Sequence, residues 1–171
     1  MQEEDRVAIQ VREQADVEFE ARGIAEWISL YQTFNAIFKV AELALLPHNL
    51  SLPQLHLLSV LKLGGGVLST GEIGRAMVKA SQTITGLVDR LEVEGFVERQ
   101  FDRRDRRKTW VRLTTKGERK WEEAMPVANR LAEELFSVLT DRELSQMQAK
   151  VEKLQTVAMG KLAKALGRSA F

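Results

Sequence analysis

Between Arg99 and Lys108 the chain places six basic residues (Arg99, Arg103, Arg104, Arg106, Arg107 and Lys108) against two acidic ones, Asp102 and Asp105. That is a local charge of +4 in a chain whose formal net charge is only +1. Guanidinium groups at this density can bind phosphate in bidentate pairs or enter the narrow, electronegative minor groove of a duplex. Just upstream, Ser81, Gln82, Thr83, Thr85 and Gly86 are small or polar, and Arg90 follows them. Gln can bond adenine twice, and Thr offers a hydroxyl or a methyl to a base edge. An arginine-rich tip can also be no more than a solvated hairpin. The elements that carry these residues decide between the two.

Ile84, Leu87, Val88 and Leu91 recur at i, i+3, i+4 and i+7, the spacing of one buried helix face. Placing them inward turns Gln82, Gly86, Asp89 and Val93 outward, with Thr83, Thr85 and Arg90 on the flanks. Gly86 costs roughly 1 kcal/mol against Ala in a helix, which makes sense where a partner must approach closely. The helix is expected over residues 81–95, with Gly95 just past its end. FVERQ and TWVRLT read as two strands around the basic loop, a wing over about residues 100–109.

Upstream, Ser51 is an N-cap and Pro53 sits in the first turn of a helix that ends at Gly64, with Leu55, Leu57, Leu58 and Leu61 inward. Ser69 or Thr70 starts a short helix from about Gly71 to Val78. The order helix, helix, turn, helix, strand, loop, strand is that of a winged helix-turn-helix. The elements on either side are helical. From Phe19 to Leu46 an apolar stripe runs through Ile24, Trp27, Tyr31, Phe34, Phe38, Ala41 and Leu45. At 1.5 Å per residue this helix is about 42 Å long, more than the core of one small domain can cover, so a second chain is expected against it. A further helix runs from about Lys116 to Leu139 through Pro126, which is expected to kink it. Thr140 and Glu143 form a capping box for a last helix to about Leu166. The expected fold is mainly α with a small β-wing. Residues 1–46 are expected to form an acidic extension and a long helix that meets a second chain, 51–114 a winged helix-turn-helix DNA-binding domain, and 115–171 C-terminal helices.

Composition narrows the function classes. With 44% hydrophobic and 29% charged residues the chain suits a globular protein. The absence of cysteine excludes disulfides, thiol chemistry and thiolate metal sites. The two histidines, His48 and His56, lack partner ligands at metal spacing, so neither a metal nor a cofactor is expected. No nucleophile elbow or phosphate-binding glycine loop is present, so catalytic residues are not expected and the chain does not read as an enzyme. The acidic start lacks the pattern of a secretory signal, and no apolar run would span a bilayer; a cytoplasmic protein is expected. Residues 1–20 hold seven acidic and two basic residues. By itself this acidic start reads as a frayed tail.

LVDRLEVEGFVER, followed by DRRDRR, a strand and LTTKG, resembles the MarR family of winged-helix transcriptional regulators. The likeness covers about residues 24–165 and is strongest over 67–119. It implies a homodimer in which 1–46 and 115–171 supply interlocking dimerisation helices, with two winged-helix lobes on a palindromic operator; in such a dimer the acidic start would pack against Lys150, Lys153, Lys161, Lys164 and Arg168 of the last helix. It also implies a cleft between the dimerisation helices and each lobe for a small, often anionic aromatic effector. Trp27, Tyr31, Phe34 and His56 are the candidates to line it, although aromatics at helical spacing also serve as plain packing. The family's wing has a D-x-R pattern, matched by Asp105-Arg106-Arg107. By that match Arg107 reads the minor groove and Asp105 orients it, with Arg103, Arg104 and Arg106 beside them. One departure is Ala80, where the family often has a capping Ser or Thr. Ser81 then either caps the helix or reads DNA. The alternative function is a winged-helix protein-interaction module without an effector, which would leave the basic wing without a purpose.

Overall fold

The computed structural model describes residues 23–101 and 108–167. The chain divides into two compact units, Met1–Leu43 and Ala44–Phe171. The first holds most of helix α1 (Ile24–Leu45). A 3-10 turn over Leu46–His48, with Pro47 inside it, ends this helix at the expected place. The acidic segment, residues 1–20, lies outside the described residues, as does Arg168.

The second unit opens with helix α2 (Leu52–Leu63). Its start is a full capping box: Ser51 Oγ accepts from the Gln54 N–H, and Gln54 Oε1 accepts from the Ser51 N–H at 2.8 Å. Leu55, Leu57, Leu58 and Leu61 are all buried, as their spacing predicts. After Gly64–Gly66 comes a strand that sequence reading missed, β1 (Val67–Ser69). Ser69 ends it and at once caps helix α3 (Thr70–Met77), with Glu72 completing a second capping box. Helix α4 (Ser81–Val93) follows, then β2 (Val97–Phe101) and β3 (Thr109–Leu113). The sheet is antiparallel in the order β1-β3-β2. Val67 pairs with Arg112 on one side of β3, and Val97 pairs with Leu113 on the other. The two longest strands, β2 and β3, therefore flank the basic stretch in sequence.

Helix α5 (Thr115–Phe136) is continuous through Pro126, and helix α6 (Asp141–Ala165) starts at the Thr140–Glu143 capping box. The core of this unit gathers Leu58 and Leu61 of α2, Ile73 of α3, Ile84 and Leu91 of α4, and Val111 of β3, all fully buried. Ala124 of α5 joins it, so α5 packs directly on α2. The joint carries polar contacts as well. Trp121 Nε1 donates to Ser59 Oγ, and Lys62 pairs with Glu118 while lying over the Trp121 ring.

Candidate nucleic-acid interface

Helix α4 has the two faces its spacing predicts. Ile84, Val88 and Leu91 are fully buried and Leu87 nearly so. Ser81, Gln82, Thr83, Thr85 and Arg90 are exposed, and Gly86 is partly exposed. Thr85 Oγ1 donates to the Ser81 carbonyl at 3.0 Å, a back-bond within the helix. A Cβ built on Gly86 meets nothing within 4 Å. Nothing among the described residues of the chain requires glycine there.

The helix start removes one of the two roles open to Ser81. The N-cap position belongs to Ala80, whose backbone is extended (φ −65°, ψ 150°), and no side chain caps the helix. Ser81 is already the first helical residue, so it does not take over the cap. A cap must hold a non-helical backbone while its side chain folds back onto the first turn, and Ser81 lies one residue too far along.

The other end of α4 is held by the LTTKG stretch. Thr114 caps α5 by accepting from the Gly117 N–H at 3.0 Å, and its hydroxyl donates to the Gly95 carbonyl at 2.8 Å. Lys116 Nζ donates to the Glu94 carbonyl, placing a cation at the negative end of the helix dipole. Gly95 takes the left-handed backbone (φ +71°) expected of a residue just past a helix. A Cβ on Gly117 would fall 2.0 Å from the Phe96 carbonyl oxygen, so only glycine lets α5 start this close to the turn.

Arg99 does not behave as part of the wing's free charge. It lies on β2, and its Nη1 pairs with Asp89 and, at 3.5 Å, with Glu92 of α4. Its Nη2 donates to the Thr85 carbonyl at 3.0 Å, and its backbone N–H donates to Glu92 Oε1 at 3.0 Å. Counting Arg99 with the basic loop therefore overstated the loop's free charge by one. The signal was present in the strand period: with Val97 inward, Arg99 falls on the same side of β2, the side α4 covers.

The wing tip, with Arg103, Arg104, Asp105, Arg106 and Arg107, lies outside the described residues. At its edge Lys108 Nζ sits 4.1 Å from the centre of the Trp110 ring. Trp27, Tyr31 and Phe34 are exposed on α1 in the first unit, and His56 is exposed on α2 in the second. Exposed though it is, His56 is partly desolvated by its neighbours; that, and then the positive charge of Lys79, hold its imidazole below its usual pKa. Among the described residues no cluster of three His, Cys, Asp or Glu is placed to hold a metal. No helix there is long and apolar enough to cross a membrane.

Comparison with known proteins agrees with this winged-helix architecture. A model of the MarR family matches residues 48–108. The transcriptional repressor MdtR of Bacillus subtilis is 31% identical over 105 residues, covering 61% of this chain and 67% of MdtR. The chain belongs to the MarR family. The regulator YsmB of the same organism is 32% identical over 90 residues, which cover 53% of this chain and 62% of YsmB, short of two thirds of that relative's length. Among solved structures, a mutant of the E. coli MarR protein in complex with operator DNA superposes with a TM-score of 0.71. It covers 77% of this chain and 94% of that one at 22% identity, a likeness of fold.

Proposed function

We propose that this MarR-family chain is a homodimeric, sequence-specific transcriptional repressor that binds a palindromic operator. Helix α4 enters the major groove through Ser81, Gln82, Thr83, Thr85, Gly86 and Arg90. The wing, residues 100–109, brings Arg103, Arg104, Arg106 and Arg107 to the minor groove or backbone, with Asp105 orienting Arg107. The observation that carries this reading is the exposed, polar and unobstructed first half of α4 on a winged-helix frame. Recognition helices of this class contact base edges with their N-terminal residues.

The dimer is supported by apolar side chains left open on a single chain. Trp27 (69% exposed) and Phe34 on α1, with Val151, Leu154 and Val157 on α6, make stripes that a lone chain leaves in water. A two-fold dimer with half-sites one DNA turn apart, about 34–36 Å, explains why the operator should be palindromic. We assign release from DNA to a small aromatic or anionic effector, with Trp27, Tyr31, Phe34 and His56 as its candidate contacts. Such an effector acts by preferring a dimer geometry that no longer matches the operator. A cytoplasmic location follows from this reading.

The test is binding of duplexes from the DNA flanking the protein's own gene, followed by fluorescence anisotropy at moderate salt. Arg107→Ala should weaken binding strongly while the dimer persists in size-exclusion chromatography. Gln82→Ala should relax preference at one base pair by roughly 1–3 kcal/mol. Failure of every flanking duplex to bind removes the regulator reading.

A further inference from the structure

Helix α4 carries two carboxylates, Asp89 and Glu92, on the element proposed to lie against a polyanion. Asp89 shares the outward face with Gln82 and Gly86, and both carboxylates remain partly open to solvent, with 54% and 40% of their side chains exposed. Left alone they would repel phosphate. Arg99 is the more shielded partner, with 21% of its side chain exposed. It meets α4 at three levels: the Thr85 carbonyl, Asp89 and Glu92.

We propose that Arg99 is a positioning and charge-shielding residue of the DNA-reading head. It does not touch DNA; it cancels the carboxylates of α4 and fixes the root of the wing to the recognition helix. This rests on the DNA-binding reading above. The balance of magnitudes places the effect in binding and not in folding. A half-exposed ion pair adds little to stability, because water screens it and both side chains lose freedom. An uncancelled carboxylate within a Debye length of phosphate, about 8 Å at physiological salt, acts on every encounter with DNA. The backbone N–H and guanidinium of Arg99 together span nearly two turns of α4, from Thr85 to Glu92, so β2 and α4 present their contacts in one register.

The experiment compares Arg99→Gln, Asp89→Asn and the double variant with wild type, as full-length chains. The probes are duplexes from DNA flanking the gene and a random-sequence duplex, each at two salt concentrations. Thermal melting is followed in parallel. Arg99→Gln should bind roughly tenfold more weakly, with a melting midpoint close to wild type. Asp89→Asn should bind at least as tightly as wild type. The double variant should recover a clear part of the loss, since the Asp89 charge is gone while Glu92 stays uncancelled. A double variant no tighter than Arg99→Gln would overturn the proposal and make Arg99 a direct DNA contact or a purely structural residue. So would an Arg99→Gln protein that binds like wild type. If wild type binds none of the duplexes, the DNA-binding reading itself fails, before any variant is compared.

Discussion

The indole N–H of Trp121 donates to the hydroxyl of Ser59 across 2.8 Å, joining α5 to α2. The Ser59 hydroxyl in turn donates to the Leu55 carbonyl at 2.9 Å, so the chain of bonds ends on the backbone of α2. Trp121→Phe removes the donor and keeps most of the ring beneath Lys62. The expected cost is about 1 kcal/mol, the net worth of a typical hydrogen bond. Urea denaturation checks it, and Ser59→Ala supplies the control. If Trp121→Phe costs as much in the Ser59→Ala background, the bond contributes nothing.

Gly86 should show opposite signs in two measurements. Alanine there meets open space and removes the helix penalty of glycine, so Gly86→Ala should stabilise the fold by about 1 kcal/mol. A duplex packed against that face would meet the added methyl, so the more stable protein should bind DNA more weakly. A variant that is more stable and binds equally well would show that DNA does not approach Gly86.

Val78 holds a left-handed backbone (φ +52°) in the turn between α3 and α4. That conformation is costly for a β-branched residue. Its side chain is 47% exposed, so little packing is lost on removing it. Val78→Gly should therefore raise stability by about 0.5–1 kcal/mol, the relief of strain exceeding the extra freedom of glycine in the unfolded chain. A lowered denaturation midpoint would mean that the valine side chain, not its backbone, matters to the turn.

His56 should make stability depend on pH near neutrality. Its folded pKa lies below the ordinary 6.5, through partial burial and then Lys79. As pH falls below 6.5, the unfolded chain takes up the proton more readily than the folded one. The contribution is therefore complete above 6.5 and lost as pH drops toward the lowered folded value. Glu72, held low by its bonds to Ser69, acts in a separate window below 4.5. Denaturation midpoints of wild type and His56→Gln at pH 7.5, 6.5 and 5.5 test this. Parallel curves would rule His56 out.

Much of the frame could be read from neighbouring residues alone, because helices are made by local interactions. The capping boxes at Ser51, Ser69 and Thr140 involve residues three apart, and the buried face of α4 repeats every three or four. The strand pair flanking the basic loop showed in its β-prone runs, and the LTTKG motif marked the start of α5. The polar face of α4 is therefore legible in the spacing of its residues alone.

Long-range pairing decided the rest. Strand β1 is three residues long, too short for an alternating pattern, and exists because β3 offers it partners at Val111 and Arg112. Ala80 holds the cap position because its backbone is extended while Ser81 is already helical, a difference of one residue that propensity does not resolve. Arg99 counted as one more cation in the sequence, where charge is summed along the chain. Its partners lie seven to fourteen residues back, on a helix that the turn at Gly95 folds over β2. Sequence gave Arg99 its charge, and the crossing of α4 and β2 determined which groups that charge meets.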